Sequence, residues 1–381
     1  MIYLDNAATS FPKPRGVIDE MARCMRQYCG NPGRGSHAMA MAAAEKIFEC
    51  REACVHLFGS PHPENLIFTM NTTVALNMAI KGLLRQGDHV LISDMEHNAV
   101  FRPVYKLAQE GRITYDIFPT MTLEERRSPA RICAHLARLV RPKTRMLICA
   151  HASNICSASL PLKELGEFCR KRGILFVVDG AQSAGRLPID VERMHIDALC
   201  VPGHKGLLGP QGSGFLLLGD GIVADTIIEG GSGLNSLEGF MPEDSPERYE
   251  AGTLPTPAIA GLLEGVRAVE RIGISRIASM EDDLASYLQS ELLRIPGITV
   301  YAPQYRGGVL LFNKEGISAD RMGALLNERG FCVRAGYHCS ALGHATLRTP
   351  AGGAVRVSPG IYNTRAQLSA FADAVERISP V

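Results

Sequence analysis

The sequence predicts an α/β fold: a large domain with a mostly parallel sheet, joined to a smaller α+β domain. Between residues 60 and 220, short apolar runs alternate with amphipathic stretches, a pattern typical of strands connected by helices. The apolar runs lack strict alternation, as expected for strands that helices cover on both faces. After a loop at residues 230–255, rich in Gly, Pro and Ser, a long helix is followed by short strands mixed with helices.

The strands of the large domain are expected to bring polar residues to one edge of the sheet. The segments between the strands have apolar residues at the spacing expected of helices, as at Leu76, Ile80 and Leu83. Right-handed crossovers place the strand carboxyl ends along the edge where open α/β sheets bind ligands. The predicted strands are Leu66–Thr69, His89–Ser93, Met146–Ala150, Ile174–Asp179, Ala198–Val201 and Gly214–Leu218.

The smaller domain is predicted from the change of pattern after residue 255. A chain of 381 residues exceeds the ~250–300 residues at which single cores stop growing. We divide it into a large domain of residues 15–255 and a small domain of residues 1–14 with 256–381. The predicted helices of the small domain are Ile274–Arg294, Ala319–Arg329 and Arg365–Ile378, and its strands are Val309–Phe312, Cys332–Arg334 and Val355–Ser358.

Composition excludes several classes of function. Forty basic against 39 acidic residues leave a net charge of +1, without the basic field that nucleic acid or an anionic membrane selects. No signal segment and no run of ~20 apolar residues is present, so we expect a cytoplasmic protein that acts on a small molecule. Eleven scattered cysteines without a CxxC pair argue against a disulfide framework and against a zinc site.

Lys205 is the sharpest local feature. It lies on a glycine-rich turn, Pro202–Gly206, which directly follows one apolar strand and precedes another. Pyridoxal 5'-phosphate (PLP) chemistry needs such an amine, held away from bulk water so that its neutral, nucleophilic form is accessible. A solvated lysine in a flexible hairpin is the alternative for this motif taken alone.

Asp179 ends another apolar strand and offers a carboxylate at the same edge. A PLP ring needs an acid at its pyridine nitrogen, because the protonated ring accepts electrons from the substrate. Gln182, three residues later, can hydrogen-bond the phenolic oxygen or the imine region. The alternative for Asp179 is a helix N-cap, to which Asp is well suited.

Other polar residues follow neighbouring strands. Thr72 and Thr73 lie in a turn before a helix, where backbone N–H groups and hydroxyls can receive a phosphate, although helix capping needs only one hydroxyl. His97 follows the next strand and can lie flat on a cofactor ring; a lone surface histidine is the alternative. Asn154 ends the strand after that.

Cys339 is the one cysteine whose surroundings predict reactivity. Arg334 and His338 lie close to it in the chain, and cationic neighbours favour the nucleophilic form of a thiol. A loop thiol without a function is the alternative.

Arg356 lies within an apolar strand, where an unpaired guanidinium is costly to bury. It therefore needs a partner. A substrate α-carboxylate can supply one through a bidentate contact, and an internal Asp or Glu is the alternative.

Taken in this order, the motifs resemble the class V aminotransferase family of fold-type I PLP enzymes and, within it, the cysteine desulfurases and selenocysteine lyases. The similarity extends over nearly the whole chain, from YLDNAAT at residues 3–9 to RVSPGIYNT at residues 356–364. It implies a mostly parallel seven-stranded sheet in the large domain, PLP as cofactor, and a homodimer with active sites at its interface.

The resemblance also implies a role for each candidate residue. Catalytic residues would be Lys205, which carries PLP as a Schiff base, Cys339, which accepts sulfur, and His97, which stacks on the ring. Other cofactor contacts would come from Asp179, Gln182, Thr72, Thr73 and His204, with Thr253 reaching the phosphate of the partner subunit. Substrate contacts would come from Arg356, Asn154 and Arg334.

Two details refine the resemblance. The segment Arg334–Cys339 is similar to the desulfurase group whose cysteine lies on a short, ordered loop, so an acceptor protein or small thiol would have to come to it. Many relatives carry Ser or Thr where this chain has Pro202, so one phosphate hydroxyl is missing.

The expected reaction converts L-cysteine to L-alanine with a persulfide on Cys339. A selenocysteine lyase acting on L-selenocysteine is the nearest rival, because selenium is the better leaving group and needs less help from Cys339. A class V aminotransferase would make no use of Cys339. A non-catalytic PLP-binding or scaffold protein is disfavoured because Lys205, Asp179, Arg356 and Cys339 are all present.

Overall fold

The chain alternates strands and helices over most of its length. A computed structural model describes residues 1–33, 35–120 and 128–379. In chain order, the described elements are β1 (Ile2–Tyr3), α1 (Arg15–Gln27), α2 (Ala38–Leu57), a 3₁₀ turn (Pro63–Asn65), β2 (Leu66–Thr69), α3 (Thr72–Leu83), β3 (Asp88–Ser93), α4 (Asn98–Gln109), β4 (Ile113–Phe118), α5 (Pro129–Leu139), β5 (Thr144–Ala150), α6 (Leu162–Arg170), β6 (Leu175–Asp179), β7 (Ala198–Pro202), β8 (Gly214–Leu218), α7 (Thr256–Ile272), α8 (Ile274–Leu292), β9 (Ile298–Tyr301), β10 (Leu310–Lys314), α9 (Ala319–Glu328), β11 (Phe331–Cys332), β12 (Arg334–Gly336), α10 (Ala341–Leu347), β13 (Ala354–Val357) and α11 (Arg365–Glu376).

The large domain is built on one seven-stranded sheet in the order β2-β8-β7-β6-β5-β3-β4. Within it, β8 runs antiparallel to both neighbours, and the other pairs are parallel. The predicted mostly parallel seven-stranded sheet is therefore confirmed. Each parallel strand delivers its carboxyl end to the same edge, which is where the predicted site residues lie.

Both faces of this sheet are buried, which explains why its strands are continuously apolar. In β5, Met146 and Ile148 belong to the hydrophobic core on one face, while Leu147 and Cys149 belong to the core on the other. All four side chains are fully buried. Helices pack against both faces, as the sequence pattern predicts.

The small domain contains a four-stranded antiparallel sheet in the order β12-β13-β10-β9. Its core includes Phe371, whose ring meets those of Phe312 and Phe331 edge-on at 6.2 and 5.5 Å between centroids. The N-terminal strand β1 pairs in parallel with β11, and Asp5 forms a bridge to Ser358. The first residues of the chain therefore lie with the small domain.

The division at residue 255 stays a prediction, and helix α7 bears on it. Ile259, Leu262 and Val266 of α7 belong to the same core as the seven-stranded sheet, and α7 packs against α1 and α2. We therefore propose that the boundary follows α7. No helix among the described residues is long and apolar enough to cross a membrane.

Most differences from the predicted elements lie at irregular or edge positions. The single strand predicted at Cys332–Arg334 is wrong, because Val333 separates β11 from β12, and these two strands belong to different sheets. Strand β4 was not predicted; it is the edge strand of the large sheet, and its central residues are only partly buried. Predicted strands in the sheet centre lie within two residues of those observed.

Candidate active site

A cavity of about 230 Å³ lies at the carboxyl edge of the large sheet, where the small domain meets it. The large domain contributes residues that follow β2, β3, β5, β6 and β7, and the small domain contributes residues of β12 and β13. The lining residues with polar side chains are Asn71, Thr72, Thr73, His97, Asn154, Asp179, Gln182, His204, Lys205, Arg334, His338 and Arg356.

Lys205 lies half-buried on the turn after β7. The turn needs its glycines: a Cβ on Gly206 would lie 2.2 Å from the carbonyl oxygen of Ala184, and one on Gly203 would lie 2.2 Å from Ser213 Oγ. Burial lowers the pKa of the Lys205 amine to about 8, although Asp179 opposes this shift. The neutral amine is therefore accessible near neutral pH, which the alternative of a solvated hairpin lysine would not provide.

The N-terminal segment holds the Lys205 turn from outside the sheet. Ser10 Oγ donates to the carbonyl oxygen of Lys205 at 2.9 Å, and Thr9 Oγ1 donates to that of His204 at 2.9 Å. Lys13 Nζ donates to the His204 carbonyl at 2.7 Å. These bonds fix the backbone that carries the reactive amine.

Asp179 ends β6 and is 4% exposed. Its Oδ1 accepts the backbone N–H of Ala181 at 2.9 Å, and burial raises its pKa. No regular helix follows among the described residues there, so the carboxylate closes a turn instead of capping a helix. Gln182 lines the same cavity and donates its Nε2 to the carbonyl oxygen of Ala7 at 2.9 Å.

The first turn of α3 has the features of a phosphate site. Asn71 is the N-cap residue, because its Oδ1 accepts the N–H of Val74 at 3.1 Å, so the threonine hydroxyls are not needed for capping. Thr72 Oγ1 and His204 Nδ1 are buried without a partner among the described residues. Burial lowers the pKa of His204 to about 4, so this ring is neutral. Pro202 lines the cavity and adds no donor.

His97 is the N-cap residue of α4, and its Nδ1 accepts the N–H of Ala99 at 3.0 Å. Burial, followed by the charge of Lys205, lowers the pKa of His97 to about 4. A neutral ring whose Nδ1 accepts carries its proton on Nε2. The cavity is thus lined by an uncharged imidazole, suited to stacking against an aromatic ring.

Arg356 is 1% exposed and has an internal carboxylate partner. Its Nη2 donates to Asp5 Oδ1 at 2.6 Å, and its Nη1 donates to the carbonyl oxygen of Asn154 at 3.1 Å. An internal carboxylate, the alternative partner considered for Arg356, is therefore present at Nη2 of the guanidinium. Arg356 Nε is buried without a partner among the described residues.

Cys339 is exposed and follows two residues that line the cavity. Arg334 Nη2 lies 3.8 Å from its Sγ, so the predicted cationic neighbour is present. The prediction that His338 supplies a second cation is wrong: burial lowers the pKa of His338 to about 3, and the ring is neutral.

The Cys339 loop contacts both domains. Asn98 at the start of α4 donates its N–H to the carbonyl oxygen of Cys339 at 2.7 Å. Asn154 Nδ2 donates to the carbonyl oxygen of His338 at 2.8 Å. The loop is therefore short and fixed beside the residues that follow β3 and β5.

Thr253 does not line this cavity. It is exposed, with its Oγ1 3.5 Å from Asn31 Nδ2, and it lines a separate cavity of about 560 Å³. Near it, Glu250 forms a buried ion pair with Arg51 at 2.5 Å. Within one chain, Thr253 therefore has no contact with the Lys205 site.

Two residues at the site were missed from the sequence. Asp5, the partner of Arg356, lies 351 positions away from it, and no local pattern connects them. His344 contacts His338 from the first turns of α10, a spacing that no helical periodicity predicts.

Comparison with known proteins gives a consistent result over the whole chain. The family model described as aminotransferase class-V matches residues 2–371. A probable cysteine desulfurase of Methanothermobacter thermautotrophicus is 34% identical over 388 residues, covering 99% of this chain and 94% of that protein. A cysteine desulfurase of Escherichia coli is 32% identical over 392 residues, covering 99% and 93%.

Solved structures agree with these sequence similarities. The apo structure of the cysteine desulfurase from Thermococcus onnurineus NA1 matches with a TM-score of 0.88 at 28% identity, covering 98% of this chain and 94% of that one. The Escherichia coli cysteine desulfurase CsdA (S-sulfonic acid) matches with a TM-score of 0.86 at 27% identity, again covering 98% and 94%.

Proposed function

Because the chain belongs to the class-V aminotransferase family, we propose that it is a PLP-dependent cysteine desulfurase that converts L-cysteine to L-alanine. One observation carries this proposal. A half-buried lysine with a lowered pKa lines the same cavity as Arg334, and Arg334 lies beside the exposed Cys339. An aminotransferase would make no use of the cysteine.

The residues present fit PLP. Asp179 would meet the pyridine nitrogen, His97 the ring face and Gln182 the phenolic oxygen. The unpartnered Thr72 Oγ1 and His204 Nδ1, together with Thr73, would receive the phosphate at the start of α3. When bound, PLP supplies an electron sink for the substrate carbon.

Lys205 would move the proton. Its pKa of about 8 leaves an accessible neutral amine, which removes the Cα proton of the substrate and later returns a proton to the product. Asp179 and Arg356 are charged groups that act on this amine in opposite directions, Asp179 raising its pKa and Arg356 lowering it. The N-terminal segment keeps the turn in place while the amine moves.

Cys339 would accept the sulfur. Its thiolate attacks the sulfur atom of the substrate, an S–S bond forms, and the C–S bond breaks with its electron pair going to carbon. That carbon then takes a proton, so L-cysteine and the enzyme thiol become L-alanine and an enzyme persulfide. No other oxidant or reductant is needed.

Arg356 and Asn154 would orient the substrate carboxylate, with Arg334 close to the sulfur. Arg356 keeps Nε free of other described partners and is held by Asp5 on its far nitrogen. A guanidinium anchored in this way is preorganised for a carboxylate.

We also propose a homodimer. Thr253 is exposed and does not line the cavity of its own Lys205, and Leu237 and Phe240 present nearly fully exposed apolar side chains on the same 230–255 loop. In such a dimer Thr253 would contact the phosphate of the partner subunit. Mixing Lys205→Ala and Thr253→Ala chains should then restore one complete site per mixed dimer, with wild-type PLP affinity; no restoration would contradict the shared site.

The delivery of sulfur and the compartment complete the proposal. A short, fixed loop cannot carry a persulfide far, so an acceptor protein or small thiol would come to Cys339. None of the eleven cysteines, all of which lie among the described residues, forms a disulfide, and this supports a reducing, cytoplasmic location.

The test compares wild type, Lys205→Ala and Cys339→Ser for alanine release from L-cysteine and from L-selenocysteine. We expect PLP binding and cysteine turnover in wild type, and loss of turnover in both variants. Cysteine turnover undiminished in Cys339→Ser would overturn the persulfide mechanism. Turnover of selenocysteine alone would identify a selenocysteine lyase instead.

A further inference from the structure

A row of hydrogen bonds runs behind the Cys339 loop and ends in the small domain. His338 Nε2 lies 3.0 Å from the carbonyl oxygen of Arg334, and His338 Nδ1 lies 3.1 Å from His344 Nε2. His344 Nδ1 in turn lies 2.8 Å from Thr349 Oγ1. Four residues are thus joined in one line, and three of them lie outside the reacting groups assigned above.

The carbonyl at one end fixes the direction of every bond in the row. A carbonyl oxygen can only accept, so His338 Nε2 donates. Because burial lowers the pKa of His338 to about 3, the ring is neutral and His338 Nδ1 accepts. His344 Nε2 therefore donates to His338, and His344 Nδ1 accepts the hydroxyl proton of Thr349. Both rings carry their single proton on Nε2. A second proton on His338 would place two N–H groups face to face, since His344 Nε2 already donates to His338 Nδ1.

Burial and the hydrogen bond between the rings hold them in this arrangement. Both His338 and His344 are 3% exposed, and their ring planes lie within 12° of each other with centroids 5.3 Å apart, as expected for rings joined edge to edge by the bond from His344 Nε2 to His338 Nδ1. The Tyr337 ring meets His344 edge-on at 5.4 Å, and Tyr337 Oη accepts the N–H of Gly352 at 3.0 Å. Burial lowers the pKa of His344 to about 4, so it is neutral, like His338.

The backbone that this row supports is strained. His338 and Cys339 both have left-handed φ angles, of 51° and 54°, and neither is glycine. Each such residue costs roughly 1–2 kcal/mol, so surrounding bonds must hold the conformation. Two of those bonds come from the large domain, through Asn98 and Asn154. The side chain of His338 provides the third, and it depends on His344.

We propose that His344 is a positioning residue for the sulfur-accepting cysteine: by donating to His338, it keeps the left-handed turn that holds the Cys339 thiol beside Arg334. His338 then supports the loop through its bond to the carbonyl oxygen of Arg334 and exchanges no proton with the Cys339 thiol. The expected change in kcat rests on the proposed function. The expected change in the position of the Cys339 thiol rests on the geometry of the loop alone.

The test uses two variants of similar size. His344→Leu removes both ring nitrogens, whereas His344→Gln can still donate an N–H near the position of Nε2 and should retain much of the wild-type behaviour. In His344→Leu we expect kcat for alanine release to fall about tenfold, the effect of losing one buried hydrogen bond, with PLP content unchanged. Partial rescue by His344→Gln separates the hydrogen bond from simple packing.

A second readout does not depend on turnover. Alkylation of the protein by iodoacetamide, followed by peptide mass spectrometry, gives the rate at Cys339, and exposed Cys29 serves as the internal control. We expect the Cys339 rate to change in His344→Leu and the Cys29 rate to stay constant. Equal Cys339 rates in wild type and His344→Leu would overturn the proposal, whether or not the wild type turns over cysteine.

A third measurement uses the unmutated protein, in case His344→Leu does not fold. Nitrogen-15 NMR of histidine-labelled protein should show His338 and His344 as neutral Nε2–H tautomers. A charged ring, or an Nδ1–H tautomer at His344, would contradict the row of bonds and with it the proposal. Absence of desulfurase activity in wild type would instead remove only the proposed function.

Discussion

The Lys205 turn and the Cys339 loop meet at one cavity but are held by different means. The turn depends on close backbone packing, since a Cβ on Gly206 would lie 2.2 Å from the carbonyl oxygen of Ala184. The loop places non-glycine residues at φ angles that favour glycine, and holds them through side-chain hydrogen bonds. A single substitution in the turn should therefore cause a large loss of PLP binding and stability. A substitution that removes one hydrogen bond from the loop should cause only a partial loss of activity.

The largest effect is expected at Asp179, which serves the lysine side of the cavity. Asp179→Asn keeps the size of the side chain and an oxygen that can accept the Ala181 N–H, but removes the charge. We expect alanine release to fall by about 10²–10⁴-fold because the electron sink loses its acid. Alanine release near the wild-type rate, with an unchanged melting temperature, would contradict the role of Asp179.

Gly206→Ala tests the abrupt response of the turn. The added methyl group meets backbone that cannot rotate away, so we expect a loss of roughly 1–3 kcal/mol in the free energy of unfolding and greatly reduced PLP content. Thermal unfolding and the PLP absorbance measure both effects. Gly16→Ala is the matched control, because a Cβ there has only an ordinary contact, 3.4 Å from Glu264 Oε2; equal behaviour of the two variants would contradict the comparison.

The rate of PLP uptake by the apoprotein should follow the titration of Lys205. The pKa is lowered to about 8 from 10.5, so the amine is neutral above a pH of about 8 and protonated below it. Uptake should level off above that pH and slow by about tenfold per pH unit below it. His97 and His204, with pKa values of about 4, stay neutral across this range. A rate still rising near the ordinary lysine pKa would show a solvated amine.

The smallest effect is expected at Thr349, at the far end of the row behind the Cys339 loop. Thr349→Val removes the hydroxyl that donates a hydrogen bond to His344 Nδ1, but leaves both histidines in place. We expect kcat to fall by about two- to fivefold, the cost of one partly buried neutral hydrogen bond. A fall in kcat as large as that of His344→Leu would mean that removing any one hydrogen bond disrupts the whole loop, as an added methyl group disrupts the turn.

The sequence predicts the large domain well because its signals are local. Apolar runs mark the central strands, and polar residues follow each run directly, so Asp179 and Lys205 fall at one sheet edge by topology alone. The sequence does not predict the edge strand β4, because its partly exposed residues do not form a continuous apolar run.

The small-domain side of the site could not be predicted in the same way, because its contacts join distant positions. Asp5 is placed beside Arg356 by the pairing of β1 with β11 and by its own bridge to Ser358. His338 was expected to be a cation beside the thiol, and only the burial of its ring and its contact with His344 show that it is neutral. Sequence spacing does not report burial or ring tautomers.

The central claim is that Cys339 takes the sulfur of L-cysteine with the help of Lys205. The most direct measurement adds L-cysteine to the PLP-loaded protein without an acceptor, blocks the thiols, and maps the peptides by mass spectrometry. The account predicts one added sulfur atom on the Cys339 peptide of wild type, and none on that peptide in Lys205→Ala. Alanine formed by wild type with an unmodified Cys339, or with the sulfur on another cysteine, would contradict it.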